Sequence, residues 1–145
     1  MSKPIVAIMY DFDKTLCTRD MQEYTFLPGI NVEQKDFWGA CATFAEEHQM
    51  DGILTYMYLM QKMAKGTLDI TREKLTQLGE GVEFFPGVET WFDRINKIGE
   101  ACGVTVEHYI ISSGTYEIIQ GTPIAKYFKR IYACRYMYDE NGEAV

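Results

Sequence analysis

The chain has 145 residues, a formal net charge of −7, and a composition that is 47% hydrophobic and 14% aromatic. This length fits one domain, or a core with an insertion, and the apolar content excludes wholesale disorder. The acidic balance argues against a nucleic-acid-binding surface, which would need clustered Lys and Arg. No stretch is apolar for long enough to span a membrane.

The four cysteines are far apart in the sequence and form no C-x-x-C pair. We therefore expect neither disulfides nor a zinc site. The first apolar run is too short for a signal peptide and ends in acidic residues. These features together predict a cytoplasmic protein.

The apolar run Pro4–Tyr10 is followed at once by Asp11-Phe12-Asp13-Lys14-Thr15. Such a run predicts a strand that is buried on both faces of a parallel sheet, with its carboxyl end at the ligand crevice. The two carboxylates repel each other, and a divalent cation or a shared proton relieves this repulsion. Asp11 and Asp13 are therefore candidate catalytic and metal-binding residues, and Thr15 is a candidate hydrogen-bond donor to an anionic substrate.

The same five residues could also begin a calcium-binding EF loop. That loop requires Gly at its sixth position and Glu at its twelfth. Leu16 and Gln22 occupy these positions, which excludes the calcium interpretation.

A helical insertion is predicted between two parts of an α/β core. Apolar spacing predicts a helix over 32–50, Asp51 is a good N-cap for a second helix that ends at Gly66, and a third covers Thr71 to Leu78. We assign 18–81 to this insertion, and 1–17 with 82–145 to the core.

The second core strand is predicted over Val104 to Ile111, after a helix that begins near Pro86. Ser112-Ser113-Gly114 then breaks the strand, and a helix begins at Thr115. Small hydroxyl residues before a helix start predict a phosphate-binding site, although a serine there can also simply cap the helix. A third strand is predicted over 131–134, and Asn141-Gly142 predicts a hairpin turn.

The two strand ends resemble motifs I and II of the haloacid dehalogenase (HAD) superfamily, and the insertion resembles that superfamily's helical C1 cap. Within the superfamily, the sequence resembles the phosphoserine phosphatase-like branch. The resemblance implies a Rossmann-like parallel sheet with a cap insertion and a magnesium-dependent phosphatase that acts on a small phosphorylated metabolite.

The resemblance also implies roles for individual residues. Asp11 would be the nucleophile, and Asp13 would protonate the leaving oxygen and then activate water. Mg²⁺ would be bound by the Asp11 carboxylate and the Asp13 backbone carbonyl. Phosphate would be held by two hydroxyl side chains and by neighbouring N–H groups: Thr15 and Ser112, with Phe12, Ser113 and Gly114.

Substrate specificity in capped members lies in the cap and in the loop after motif I. The candidate residues here are Arg19, Asp20, Glu23 and Tyr24. A solvated linker is an equally acceptable interpretation of this segment.

Two elements of the superfamily pattern are missing after Ser112: the lysine of motif III and the acidic pair of motif IV. We therefore expect an N-terminal part of a longer phosphatase, with the first strand at a sheet edge that could pair with a second chain or form a homodimer. The alternative is a non-catalytic phosphate-binding or interaction module that keeps the fold.

Overall fold

A three-stranded parallel sheet forms the base of the molecule. The computed structural model describes residues 2–145, and its strands are β1 (Ile5–Tyr10), β2 (Thr105–Thr115) and β3 (Phe128–Cys134). Their order in the sheet is β1-β2-β3. Both neighbouring pairs are parallel, so the chain must cross over between strands, and it does so through helices. The predicted α/β fold with a parallel sheet is therefore confirmed.

One face of the sheet packs against a long helix. This helix, α5 (Val88–Ala101), buries Phe92 against aromatic side chains of all three strands. The Phe92 ring lies 5.7 Å from that of Tyr10, 5.1 Å from His108 and 5.3 Å from Phe128. The aromatic cluster anchors the helix and fixes the side of the sheet that forms the core.

The other face of the sheet is largely open to solvent. Ile5 and Met9 of β1 are 61% and 63% exposed, and Ile111 and Tyr132 on the neighbouring strands are 54% and 48% exposed. The prediction that β1 is buried on both faces is therefore wrong. β1 lies at the sheet edge, as expected, with a neighbour on one side only, and within residues 2–145 no helix covers this face.

The insertion between β1 and α5 is helical, as predicted. A 3₁₀ turn (Met21–Glu23) leads into four helices: α1 (Phe26–Gly29), α2 (Gln34–His48), α3 (Gly52–Ala64) and α4 (Arg72–Leu78), followed by a second 3₁₀ turn (Gly79–Gly81). Asp51 caps α3 by accepting hydrogen bonds from the N–H groups of Ile53 and Leu54. Thr71 caps α4 through its hydroxyl, and Gly66 has a left-handed φ of 82° just beyond α3. The sequence predicts these helix ends because each is determined by residues within the same helical turn.

The two ends of the insertion meet at a short antiparallel contact. Cys17 bridges to Phe84, the N–H of Thr18 donates to the carbonyl of Glu83, and the N–H of Phe85 donates to that of Leu16. The insertion also shares one continuous hydrophobic core with the sheet and its helices. The insertion is therefore packed against the core and is not joined to it by the chain alone.

The insertion packs tightly against the core where α4 meets α6 (Tyr116–Gln120). A Cβ added to Gly121 would lie 1.7 Å from the carbonyl oxygen of Thr76. Gly121→Ala must push two backbones apart, so we expect a loss of about 2 kcal/mol or more in the free energy of unfolding. The midpoint of urea unfolding measures this loss.

Gly39→Ala is the matched control, since a Cβ there meets nothing within 4 Å in the middle of α2. This change should stabilise the protein by up to about 1 kcal/mol. Equal unfolding midpoints for the two variants would show that α4 and α6 are not in close contact.

The last residues fold back onto the insertion. A turn over 139–143 is held by N–H groups of Asn141 and Glu143, which donate to the Asp139 carboxylate, and Gly142 has a φ of 80°. The predicted turn is present, and the N–H of Ala144 donates to the carbonyl of Ile70. A 3₁₀ turn (Ala125–Tyr127) leads into β3. Among residues 2–145, no helix has the length and apolar character needed to cross a membrane.

Candidate active site

The loop after β1 turns sharply, so that the side chain of Phe12 faces the core while those of Asp11 and Asp13 face away from it. The carbonyl of Phe12 accepts hydrogen bonds from the N–H groups of Thr15, Leu16 and Cys17, and Lys14 has a left-handed φ of 58°. The ring of Phe12 is fully buried and packs edge-on to Phe84. This anchor leaves the carboxylates on either side of it free to face solvent and the insertion.

Asp11 is exposed at the carboxyl end of β1. One carboxylate oxygen accepts from the N–H of Phe12 at 2.8 Å, and the other accepts from the hydroxyl of Thr15 at 3.3 Å. Two groups that are predicted to hold phosphate, the N–H of Phe12 and the hydroxyl of Thr15, therefore also orient the Asp11 carboxylate. Charge-assisted hydrogen bonds of this kind fix a carboxylate without hiding it from a substrate.

Asp13 is half-buried between this loop and the insertion. Burial raises the pKa of its carboxyl from 3.8 to about 7, the charges of Asp20 and Asp11 add to the rise, and the N–H of Met21, which donates to Oδ1 at 2.8 Å, opposes it. A carboxyl with such a pKa can carry a proton near neutral pH and can also release it. This is the behaviour that a general acid–base requires.

The raised pKa of Asp13 predicts a stability that depends on pH in the metal-free protein. The native state holds this proton more tightly than the unfolded chain, so stability falls as pH rises from about 4 to about 7. At about 1.4 kcal/mol per pKa unit, the loss is at most about 4 kcal/mol. Asp13→Asn should therefore raise the free energy of unfolding, by more above pH 7 than at pH 5.

Urea unfolding in the presence of a chelator measures this difference at each pH. Asp36→Asn, at an exposed position on α2, is the control and should lack the rise in the free energy of unfolding that Asp13→Asn shows above pH 7. A uniform effect of Asp13→Asn across this range would show that Asp13 titrates normally.

The end of β2 supplies the second half of the site. Contrary to the prediction, the strand does not stop at Ser112 but continues to Thr115, with an irregular register between Ile111 and Thr115. The hydroxyl of Ser112 accepts from the N–H of Gly114 at 3.0 Å, and the carbonyl of Ser113 accepts from the hydroxyl of Tyr56 at 2.6 Å. The following helix has five residues and begins at Tyr116, one residue after the predicted start at Thr115.

The two strand ends are adjacent and are joined through Met21. Tyr10 of β1 pairs with Ile110 of β2 in the parallel register. The residues that follow them therefore lie side by side at the carboxyl end of the sheet. The N–H of Met21 donates to Asp13, and the N–H of Thr115 lies 3.2 Å from the sulfur of Met21. A Cβ on Gly114 would lie 2.1 Å from the terminal methyl group of this methionine, so a larger residue there would displace the Met21 side chain.

A cavity of about 340 Å³ opens between this junction and the insertion. Among the predicted site residues, Asp13, Ser113, Gly114 and Asp20 line it. Asp11, Phe12, Thr15 and Ser112 lie at the strand ends beside it and outside its lining. The predicted catalytic and phosphate-binding residues thus lie together at the carboxyl ends of β1 and β2, and the cavity lies between them and the insertion.

The four predicted substrate residues go to different places. Asp20 lines the cavity and pairs with Lys14 at 2.6 Å. Glu23 is buried behind the wall of the cavity, where its carboxylate accepts a hydrogen bond from Nε1 of Trp38 at 2.8 Å. Arg19 and Tyr24 lie outside the cavity lining, because the arginine stacks on the tyrosine ring and both are directed toward Glu83.

Sequence reasoning missed most of the residues that the insertion contributes to the cavity. These are Gln22, Trp38, Asp51, Gly52, Ile53 and Tyr56. Asp51 is recognisable in the sequence as a helix cap, but nothing local marks the others as cavity residues. Their position depends on how the helices pack on the sheet.

The residues at the strand ends fit a divalent cation of the magnesium type. Mg²⁺ is commonly bound by one or two carboxylates, with water and substrate oxygens completing its shell. Asp11 provides an exposed carboxylate, and the predicted second ligand is the backbone carbonyl of Asp13. The carboxyl of Asp13, whose pKa is raised by burial and by the charges of Asp20 and Asp11, is then left to carry a proton. Within residues 2–145 no group of three or more His, Cys, Asp or Glu side chains could hold a metal ion.

Comparison with solved structures identifies the fold. A HAD family hydrolase from Salmonella enterica serovar Typhi matches 98% of this chain with a TM-score of 0.63 and 19% identity, over 45% of its own length. A substrate-bound phosphoserine phosphatase matches the whole chain with a TM-score of 0.61 and 16% identity, over 61% of its own length. The chain has a HAD-like fold.

A further structural match to this HAD fold is a phosphoserine phosphohydrolase-like protein from Francisella tularensis, with 17% identity and a TM-score of 0.60. It is covered over 63% of its length. An uncharacterised protein from Borreliella burgdorferi is 27% identical over 144 residues, which cover 92% of this chain and 50% of that protein. No protein-family model matches the sequence. The chain thus spans about half the length of the curated relative that it matches.

Proposed function

We propose that this HAD-fold chain carries the nucleophile and acid–base machinery of a magnesium-dependent phosphomonoester hydrolase. The observation that carries the proposal is the pair formed by Asp11, exposed at the end of β1, and Asp13, whose pKa is raised to about 7 by burial. Two carboxyls in such different environments are suited to opposite roles. The ionised one attacks, and the protonated one donates a proton.

In the first step a carboxylate oxygen of Asp11 attacks phosphorus, and the bond from phosphorus to the ester oxygen breaks. The proton of Asp13 passes to the departing oxygen, so that the product is an alcohol rather than an alkoxide. The phosphoryl group is then held on Asp11 as an aspartyl-phosphate.

In the second step Asp13, now ionised, takes a proton from water while the water oxygen attacks phosphorus. Cleavage of the bond between phosphorus and the Asp11 oxygen releases inorganic phosphate and restores both carboxyls. Because Asp13 lines the cavity, the leaving alcohol and the incoming water share this approach.

The phosphate oxygens are held by donors that are already present at the strand ends. Thr15 and the N–H of Phe12 now donate to Asp11, and the N–H of Gly114 donates to Ser112. A bound phosphate offers these groups stronger, doubly charged acceptors. We propose Ser112 and the N–H of Ser113 as further donors.

The Asp11 carboxylate and the Asp13 backbone carbonyl would hold the magnesium ion, so that the Asp13 carboxyl stays free for proton transfer. When bound, the ion neutralises negative charge on the phosphate and on Asp11, which lowers their repulsion.

The test is a screen of alkyl and aryl phosphate esters with the complete natural protein that contains this sequence. Release of inorganic phosphate that requires Mg²⁺ and is abolished by a chelator is the expected result. Absence of turnover on every ester, with phosphate binding retained, would overturn the proposal.

A non-catalytic phosphate-binding module is the second candidate. The hydrogen-bond donors at the strand ends favour it, since the N–H groups of Phe12 and Gly114 and the hydroxyl of Thr15 can hold phosphate without a metal ion. Such a module would bind phosphate by calorimetry with and without Mg²⁺ and would release none from any ester.

A further inference from the structure

The hydroxyl of Tyr56 joins the insertion to the end of β2. It donates a hydrogen bond from helix α3 to the carbonyl of Ser113 at 2.6 Å. Tyr56 is 7% exposed, its ring lies 6.2 Å from that of Trp38, and both residues line the cavity. Burial raises the pKa of Tyr56, so the hydroxyl keeps its proton and remains a donor at neutral pH. A side chain of the insertion is thus bonded to the strand end that carries the predicted phosphate donors.

The backbone that accepts this bond is not held by the strands on either side of it. β1 pairs with β2 only as far as Ile110, and the register with β3 passes from Ile111 to Thr115 with an irregularity between them. Among residues 2–145, neither neighbouring strand is therefore in register with Ser113 or Gly114. Glycine adopts a wide range of φ, so the peptide unit between these two residues can rotate at low cost unless another group holds it.

The orientation of this peptide unit determines where the N–H of Gly114 points. In a trans peptide unit, the carbonyl and the N–H point in opposite directions. Because the Ser113 carbonyl is directed toward Tyr56, the Gly114 N–H is directed away from Tyr56 and donates to Oγ of Ser112 at 3.0 Å. Rotation of the unit by half a turn would exchange the two groups. A phosphate bound at the strand end would then meet a carbonyl oxygen, which cannot donate a hydrogen bond.

We propose that Tyr56 is a positioning residue, which directs the N–H of Gly114 toward the phosphate group and makes phosphate binding depend on the packing of the insertion against the core. This inference rests on the phosphate site of the function proposed above. Tyr56 belongs to the insertion and Ser113 to the core, so their hydrogen bond exists only while the two parts are packed together. Conversely, bound phosphate favours the packed arrangement, because such coupling is reciprocal.

Tyr56→Phe removes the hydroxyl and keeps the aromatic ring. We expect this variant to bind inorganic phosphate about tenfold more weakly than the wild type, because a hydrogen bond to a charged group is lost. Calorimetry of the complete natural protein with Mg²⁺ measures the affinity.

Tyr136→Phe is the matched control. The Tyr136 hydroxyl also joins the core to α3, since it donates to the carbonyl of Met57 at 2.8 Å, and it lies outside the cavity lining. Both variants lose one hydrogen bond from a tyrosine to a carbonyl, so their urea midpoints should fall by similar amounts. Only Tyr56→Phe should lose affinity for phosphate.

Hydrogen exchange at saturating phosphate separates positioning from a purely structural role, because at saturation the readout does not depend on affinity. Phosphate should slow exchange of the α3 amides in the wild type and in Tyr136→Phe, and should leave it nearly unchanged in Tyr56→Phe. A tyrosine that only packs the insertion would leave the effect of phosphate on exchange as large as in the wild type.

The possible failures are distinguishable. Equal affinities of the wild type and Tyr56→Phe for inorganic phosphate, or equal slowing of exchange by phosphate in the two proteins, would overturn this inference and leave the phosphatase proposal intact. Weaker phosphate binding by Tyr56→Phe, with no turnover of any ester by the wild type, would support this inference and overturn the phosphatase proposal. Absence of both phosphate binding and turnover in the wild type would overturn both.

Discussion

Replacing Asp11 by Asn is expected to lower kcat for phosphate release by more than roughly 10³-fold. The amide has the same shape and still accepts the hydrogen bond that the N–H of Phe12 donates at 2.8 Å. It lacks the ionised oxygen that attacks phosphorus, so the loss is chemical rather than structural. Steady-state kinetics of the complete natural protein with Mg²⁺ measure the effect.

The control for this experiment is Asp36→Asn, an exposed acid on α2 far along the chain from the strand ends. It should retain wild-type kcat, and both variants should unfold at nearly the wild-type urea concentration. Retention of more than about a tenth of wild-type kcat by Asp11→Asn would show that another group is the nucleophile.

Replacing Asp13 by Asn should produce a defect that depends on the leaving group. For an alkyl phosphate the departing oxygen needs a proton, and loss of the acid should lower the rate of the first step by about 10²- to 10⁴-fold. Nitrophenolate leaves without a proton, so the first step with nitrophenyl phosphate should stay fast. The second step also uses Asp13 and should become slow with either ester.

Rapid mixing of the Asp13→Asn variant with nitrophenyl phosphate tests this expectation. A burst of one nitrophenol per active site, followed by slow turnover, is the predicted trace. Equal slowing of alkyl and aryl esters without any burst would contradict the assignment of Asp13 as the acid–base.

The sequence predicts features whose determinants are local. Asp51 and Thr71 begin helices as expected because the caps act on the next few N–H groups. The turn at Asn141-Gly142 follows from the left-handed φ that glycine tolerates. The arrangement of Asp11 and Asp13 after an apolar strand likewise depends on adjacent residues and on the general geometry of parallel sheets.

Features that depend on distant neighbours are not predictable in this way. The apolar run of β1 predicts burial on both faces, but burial requires elements packed on each side, and one face is open within residues 2–145. The continuation of β2 past Ser112 depends on pairing of Thr115 with Cys134 on β3. The sequence likewise does not predict that Gln22, Trp38 and Tyr56 line the cavity, because their position there is determined by the packing of the insertion on the sheet.

The central claim is that Asp11 carries the phosphoryl group during turnover, and covalent trapping tests it most directly. The protein is mixed with excess phosphate ester, quenched in acid within one turnover, digested, and analysed by mass spectrometry. We predict one added phosphoryl group on the peptide that contains Asp11, which should be lost after treatment with hydroxylamine and absent from Asp11→Asn protein. A phosphoryl group on a different residue, or an unmodified Asp11 peptide at a time when the alcohol product has already formed, would contradict the account.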